Sequence, residues 1–450
     1  MLERLAVHAA DSGRRIHVVA IDRVEVGAGR VWRTSQPDWF VMNTVAGQVT
    51  MYSADRDGGP DRPGHGPSLA EWLAEHPDPR LAAIGPDGYA PRAAYGHYLR
   101  EVYGNLLERL PEGLSVEEVS GQVAAVQRTP DGRFSLQIEN GAHSRPTCAD
   151  HVVLATGHPL IDPSGTVREL KRHATRHPRL RFIAGDSAAD MPLDSIGAGE
   201  TVGVIGLGLS FYDVVLTLTV GRGGRFEETG SGLRYVPSGR EPRIVAGSRS
   251  GLPIAARGVN QKAPNHVHSA VVFTADRVRA YRDEIDGAGA PLNFRRHIMP
   301  FIQAEIDHKY LTLLVRDARG PAPAERFAEQ HAEYLAAGLP TGPLRRSFGV
   351  PDDATLDIEA LARPFAGRTF TDEHHFRSTL LDLVRTDIAE AKRGTLNGPI
   401  KAALDVLRDI RNTVRDLVDF GGLDPASHRD DFEGWYVPIN ALLSAGPPLE

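Results

Sequence analysis

Gly206-Leu207-Gly208-Leu209-Ser210-Phe211 follows one apolar run, Thr201 to Ile205, and leads directly into another. Two glycines so spaced between a strand and a helix let the backbone turn sharply and approach a pyrophosphate, whose charge the amides and dipole of the helix start receive. Gly206 and Gly208 are therefore candidate dinucleotide-binding residues. The third glycine of the usual fingerprint is replaced by Phe211, which is expected to push the helix outward or re-aim it. Without a ligand the same segment reads as a plain strand, turn and helix. About forty residues on, an apolar strand Arg243 to Gly247 ends at Ser248-Arg249-Ser250-Gly251. In such a unit this strand end faces the adenosine ribose, where an acid selects NAD and an Arg beside a small hydroxyl residue accommodates a 2'-phosphate. No acid stands there, so Arg249 favours NADPH over NADH, the other reading being a solvated loop arginine.

The chain opens on a second candidate unit. Leu2, Leu5, Val7 and Ala9 with Ala6 and Ala10 make a short amphipathic helix, Ser12-Gly13 stops it, and Ile16 to Ile21 alternates into a β-branched strand that ends on Asp22. A helix feeding a strand that ends in an acid is the second half of a dinucleotide-binding βαβ unit, where the acid takes the ribose hydroxyls. The strand and Gly-rich turn of the first half are absent. Asp22 to Tyr52 then reads as an Ω-like loop with its own apolar content, Trp32, Trp39, Phe40, Met42 and Met51. Asp150-HVVLATGHP reads as a short apolar strand running into a turn at Thr156-Gly157.

Other chemistry-bearing residues point to bland roles. His173 and His177 stand at metal-binding spacing, but Lys171, Arg172, Arg176 and Arg179 oppose a cation, so a solvated basic face is expected. His266, His268 and the His374-His375 pair lack a matching carboxylate cluster in the sequence, so the same solvated role is expected of them and no metal site. Ser210 lies outside the GxSxG nucleophile elbow. Asp387 and Glu390 read as surface residues of a helix.

The bulk properties narrow the class. The 450 residues carry a net charge of -7, against a nucleic-acid partner, which requires a concentrated basic surface. Cys148 is the only cysteine, which excludes an internal disulfide or a CxxC pair and fits a reducing cytoplasm. The N-terminus does not read as a signal peptide. The near-membrane-length stretch Thr201 to Gly221 contains three glycines in its first eight residues and Asp213 near its centre, so a buried strand, turn and helix explains it better than a span. Partners are expected to be small molecules, with no nucleic acid and no membrane; no feature marks an oligomeric state.

The elements that must position these groups follow from pattern. Helices are expected around Leu69 to Glu75 and Tyr95 to Leu110, and a β-meander from Gln122 to Gln127 and Phe134 to Ile138 around the Asp131-Gly132 turn. The polar, Gly-rich segment 221–242 reads as a surface loop. Beyond about 271 the pattern turns helical, with Phe376, Leu380, Leu383, Val384, Ile388 and Ala391 on one face, and Leu404, Leu407, Val414 and Val418 on another.

Together Asp22 followed by GAGRVWR, MNT at 42–44, YAPRAAYGHYL at 89–99, LATG at 154–157, and RGGRF after the GLGLSFYD turn carry a resemblance. The chain resembles the FAD/NAD(P)-binding protein family of high-GC bacteria, a divergent relation of the class B flavin monooxygenases that include N-hydroxylating and Baeyer-Villiger enzymes. The resemblance runs over nearly the whole chain, including KAALDVLRDIRNTVRD and DFGGL. It implies an α/β protein with two Rossmann-like dinucleotide-binding domains, for FAD and NADPH, a β-meander and a C-terminal mainly helical region. It places Asp22 at the FAD ribose, Gly27, Gly29, Arg30 and Trp32 along the pyrophosphate and flavin, and Asn43, Thr44 and Gln48 near the isoalloxazine. The backbone of Val123 would meet the adenine, Thr156 and Gly157 would mark the crossover between domains, and Gly206, Gly208, Ser210 and Arg249 would hold NADPH.

The domain expectation is an FAD-binding domain over 1–160 without its first strand and GxGxxG, a linker over 161–198, an NAD(P)-binding domain over 199–270, and a helical substrate or lid region over 271–450. Measured against the family, the chain is expected to be truncated at both ends. The expected function is a cytoplasmic FAD- and NADPH-dependent monooxygenase that hydroxylates a small molecule through a flavin hydroperoxide, with cofactor-binding residues and no side-chain nucleophile. Two alternatives stand beside it: a flavin reductase or oxidase without oxygen insertion, and a non-catalytic truncated nucleotide-binding protein.

Overall fold

The computed structural model describes every residue except 53–65, 142, 158–161, 163, 231, 264–265, 267, 288–290, 420–421, 445 and 450, together with the backbone but not the side chains of 143–144. His158 and Pro159, read above as the end of an apolar strand and its turn, lie outside the described residues. The chain divides into two compact units: Met1–Thr201 with Asp213–Arg243, and Val202–Tyr212 with Ile244–Glu450.

In the first unit, helix α1 (Leu2–Ser12) buries Ala6 and Ala9 and closes on Gly13, whose φ of 60° is the left-handed cap that glycine adopts freely. Strand β1 (Ile16–Asp22) follows. Helices α2 (Leu69–Ala74), α3 (Pro79–Ala82) and α4 (Arg92–Leu107) precede β2 (Leu114–Ser120), which pairs parallel with β1 from Ile16 opposite Leu114 to Asp22 opposite Ser120. α2 begins at a full capping box between Ser68 and Glu71. It packs Leu69 and Leu73 into a core with Met42, Ala46, Ala94 and Tyr98. Strands β3 (Gln122–Arg128), β4 (Phe134–Asn140) and β5 (His143–Ala149) form the antiparallel meander, and the Thr129 to Arg133 turn closes it with Gly132 at φ 86°.

Residues 151–157 form no strand, contrary to the apolar pattern. A strand is held by its ladder to a neighbour, and among the described residues no neighbour pairs with this segment; Leu154 is 75% exposed. Helix α5 (Gly165–Arg176) lies within the expected linker, with His173 and His177 rings 4.2 Å apart on its surface. Segment 221–242, read as a loop, holds an exposed hairpin further along the chain.

Strand β6 (Thr201–Ile205) and helix α6 (Leu209–Leu218) flank the Gly-Leu-Gly turn; the hairpin strands β7 (Arg225–Thr229) and β8 (Gly232–Val236) come next, then β9 (Arg243–Gly247), which pairs with β6. The hairpin escapes a hydrophobicity pattern because its two strands are largely exposed and joined by their backbone ladder, from Arg225 opposite Val236 to Thr229 opposite Gly232, with Glu227 meeting Arg234 across it at 2.9 Å.

From Ala275 onward every named element is helical: α7 (Ala275–Gly287), a π-helical turn at Phe294–Ile298, α8 (Met299–Arg319), α9 (Pro321–Ala336), α10 (Gly342–Ser347), α11 (Ile358–Ala362), α12 (Glu373–Arg393), α13 (Pro399–Asp409), α14 (Arg411–Val418), α15 (Pro425–Ser427), a second π-helical segment at His428–Tyr436, and α16 (Val437–Ser444). Their core joins Phe273, Phe294, Ile302 and Ile306 to Leu404, Leu407, Val414 and Tyr436. The apolar face read on 404–418 is buried there, whereas α12 buries only Ala391 and leaves Ile388 exposed. Mixed helix and strand in the first unit and around the Gly-Leu-Gly turn accord with an α/β class. No helix among the described residues is long and apolar enough to cross a membrane.

Candidate functional site

In the first unit the first candidate residue, Asp22, ends β1 and opens the loop that follows. Asp22 accepts the amides of Val24 at 2.7 Å and Glu25 at 3.1 Å with one carboxylate oxygen, making an Asx turn. Its second oxygen faces Gly29, where an added Cβ would stand 3.7 Å away; Gly29 has φ 63°, so the loop needs glycine for its backbone and keeps the space before the carboxylate clear. Gly27 packs against the Tyr103 ring.

Arg30 is held by two carboxylates, Asp186 at 2.7 Å and Asp190 at 2.9 Å, and the hydrogen bond to Asp186 above all raises its pKa. Arg33 adds Asp190 at 3.0 Å and the Ala189 carbonyl at 2.6 Å. These two arginines pin the loop to segment 186–190, partners 156 to 160 residues away that no local pattern reveals. Trp32 meets Tyr95 edge-on at 4.9 Å. Its carbonyl lies so close to α4 that a Cβ on Gly96 would fall 1.9 Å from it, which explains the glycine inside the YAPRAAYGHYL motif.

Asn43, Thr44 and Gln48 lie along a segment laced to 86–91 through Met42 N–H to Ala90 O at 2.9 Å, Ala46 N–H to Gly88 O at 2.9 Å and Gly47 N–H to Pro86 O at 2.7 Å. Val45 and Ala46 are buried while Asn43 is exposed and Thr44 and Gln48 are half-buried, so the frame is rigid and the polar side chains reach its surface. Val123 sits at a break in the β3–β4 register. Thr156 and Gly157 are exposed and irregular.

Sequence reasoning missed the contacts of Arg92, which tie together the frame around the candidate residues. It donates to the Val41 carbonyl at 3.1 Å, stands 5.6 Å over the Phe40 ring and pairs with Asp213 at 2.8 Å. Burial pushes the Asp213 carboxyl up and Arg92 opposes that shift. The signal was present in Asp213 itself, an acid in an apolar run.

In the second unit the Gly-Leu-Gly turn is built as a cradle. Gly206 has φ 107° and its amide donates to Gly247 O at 2.8 Å. A Cβ on Gly206 or Gly208 would meet nothing within 4 Å, so open space lies before both, and the first amides of α6 have no acceptor within the helix. Phe211 does not prevent the helix from starting at Leu209; its ring is half-buried, 5.6 Å from Tyr212. Ser210 is exposed on the first turn. Arg249 is exposed on a turn closed by Ser248 and Ser250, whose hydroxyls are 3.0 Å apart.

Both places fit a dinucleotide: a free carboxylate oxygen beyond a left-handed glycine in one, and an open glycine turn at a helix start with an exposed arginine nearby in the other. Residues 1–159 match the model of an FAD-NAD(P)-binding family. The whole chain aligns at 40% identity with nitrosuccinic acid synthase of Aspergillus oryzae, covering 68% of that protein. It aligns at 36% and 39% identity with L-aspartate N-monooxygenases (nitrosuccinate-forming) of Streptomyces davaonensis and Streptomyces cremeus, covering 71% and 69% of them.

The chain belongs to this family of FAD/NAD(P)-binding N-monooxygenases. As a member it is a flavin-dependent oxidoreductase that uses FAD and NADPH to hydroxylate a small molecule.

Three further readings change within this family member. Asp387 and Glu390 are not simple surface residues: Asp387 accepts the Ala256 amide at 2.8 Å and pairs with Lys401, and Glu390 accepts the Ile400 amide at 3.2 Å. His268 is not a solvated histidine, because its Nε2 lies 3.0 Å from the fully buried Glu305. Their partners lie 10 to 131 residues distant, beyond any local pattern. Among the described residues no group of three His, Cys, Asp or Glu is placed to hold a metal ion.

Proposed function

We propose that the small molecule is L-aspartate, oxidised at its α-nitrogen to nitrosuccinate. The observation that carries this reading is the alignment of the entire chain, at 36–40% identity, with three relatives named for nitrosuccinate formation. When bound, NADPH supplies the hydride and FAD the oxygen-activating chemistry. The chain's own part is to bind, orient and shield. Asp22 receives the FAD ribose with the oxygen left open by the Asx turn, and Gly27, Gly29 and Trp32 line the pyrophosphate and flavin. Arg30, committed to Asp186 and Asp190, shapes that lining. Asn43, Thr44 and Gln48 stand near the isoalloxazine, the Val123 backbone at the adenine, and Thr156 and Gly157 at the crossover. Gly206, Gly208, Ser210 and Arg249 hold NADPH. Two dinucleotide-binding domains in a cytoplasmic enzyme accord with these two turns and a single free cysteine.

The test supplies purified FAD-loaded enzyme with NADPH, oxygen and 15N-labelled L-aspartate, following NADPH consumption and the labelled product. Labelled nitrosuccinate formed in step with NADPH use supports the reading. Oxidation of NADPH with aspartate recovered unchanged, or faster turnover of another amine, overturns it.

A further inference from the structure

Behind the Gly-Leu-Gly turn lies an ion pair, Lys401 buried and Asp387 partly so, that the dinucleotide fingerprint does not require. The carbonyl of Leu207, the residue between the two glycines, accepts the amide of Ile254 at 2.8 Å, and the Ile254 carbonyl accepts the Tyr212 hydroxyl at 3.1 Å. Two residues on, both peptide groups of Ala256 are taken by one pair of charges. Asp387 on α12 accepts the Ala256 amide at 2.8 Å, Lys401 on α13 donates to its carbonyl at 2.7 Å, and the two side chains bond each other.

The strand of chain is clamped further along as well. A Cβ on Gly258 would meet Gly394, Lys401 and Thr395 at 3.1–3.2 Å, and Val259 exchanges backbone bonds with Ala391 and Thr395. The Lys401 side chain is 6% exposed and that of Asp387 24%. A largely buried charge pair of this kind is weak as a source of stability and well suited to fixing geometry, since its partners tolerate only one arrangement.

We propose that Asp387 and Lys401 are positioning residues for NADPH: through Ala256 and Ile254 they hold the Leu207 carbonyl, and so fix the glycine turn that receives the pyrophosphate. This rests on the reading of Gly206 to Ser210 as the NADPH turn. A misplacement on the order of 1 Å at a binding group lowers function about a hundredfold, so a support two residues removed is expected to act on the order of tenfold.

The experiment uses the FAD-loaded enzyme and compares Lys401→Met, Asp387→Asn, the charge-free double variant Asp387→Asn/Lys401→Met, and the conservative Lys401→Arg. The dissociation constant of NADP+ is measured by equilibrium titration, alongside KM for NADPH, kcat at saturating NADPH, FAD content and circular dichroism. The expected result is a rise of about tenfold in the NADP+ constant and in KM for NADPH, with kcat and FAD content near wild type and partial recovery in Lys401→Arg. The double variant, which leaves no charge buried alone, keeps the test valid if a single variant does not fold. An unchanged NADP+ constant in a folded variant overturns the proposal, as does a parallel loss of kcat, FAD and folded signal. Gly208→Val separates the two layers: if it too binds NADP+ normally, the turn itself was misassigned; if it loses NADP+ while the clamp variants do not, only the positioning role fails.

Discussion

Arg92 reaches Asp213 across 121 positions of chain, with 2.8 Å between guanidinium and carboxylate and only 10% of the acid's side chain exposed. The same guanidinium holds the Val41 carbonyl and covers Phe40, so one side chain connects α4, α6 and the segment that leads to Asn43. Removing one member of a buried pair strands the other; with Arg92 still 22% exposed, Asp213→Ala is expected to lower stability on the order of 2–3 kcal/mol. Arg92→Met/Asp213→Leu should recover most of it. Urea unfolding of both variants checks this, and a double variant no more stable than Asp213→Ala would count against the pair.

The Asx turn separates two roles of Asp22. Asp22→Asn retains an oxygen for the Val24 and Glu25 amides and removes only the charge, so the expected outcome is a native melting temperature with FAD bound about tenfold more weakly, the scale of one charge-assisted hydrogen bond. Asp22→Ala loses the turn as well and should be less stable by about 1 kcal/mol. Flavin absorbance after gel filtration and thermal melts give both numbers; equal FAD retention in all three proteins would remove Asp22 from the cofactor site.

Gly96 offers a steric test. Alanine favours a helix over glycine by about 1 kcal/mol, yet here its methyl group would collide with the Trp32 carbonyl. Gly96→Ala is expected to be destabilised by about 1–3 kcal/mol net, with reduced FAD retention as the 30–34 loop is displaced. A stabilised variant would show that the loop yields at no consequence.

The helical unit should weaken in acid. His331 is fully buried, its Nδ1 3.1 Å from that of His308, and burial first, then His308 and Arg345, push its pKa from 6.5 down to about 3. Lys309, Glu305 and His268 are the other charges acting on the pair, through His308. Burial alone would raise Glu305, but the hydrogen bonds from His268, Phe273, Val271 and Val272 bring it from 4.5 down to about 2. These groups, and His308, whose pKa burial also lowers, bind protons more readily when unfolded, so stability is full above pH 6.5 and is lost as pH falls, first through the two histidines and then, below 4.5, through Glu305 as well. Each proton contributes a slope of about 1.4 kcal/mol per pH unit. Denaturant titrations across this range should show the slope between pH 6.5 and 4.5 reduced by about that amount in His331→Leu.

The sequence by itself determined what depends on neighbours along the chain. The acid ending β1, the glycine turn before α6, the Asp131-Gly132 hairpin and the helical periodicity after residue 271 are local patterns, each set by backbone freedom or side-chain period within a few residues, and each forms. The family, and with it FAD and NADPH, was legible because several short motifs stand together in one chain. Tertiary structure alone decided which charges meet. Arg30 with Asp186 and Asp190, Arg92 with Asp213, Glu305 with His268, and Lys401 with Asp387 and Ala256 are brought together by packing, and no residue type announces its partner at a distance. The same reason explains the two misread segments. Residues 151–157 have the composition of a strand but no strand partner among the described residues, whereas 225–236 looked like a loop and became a hairpin because its two strands supply each other's hydrogen bonds and charges.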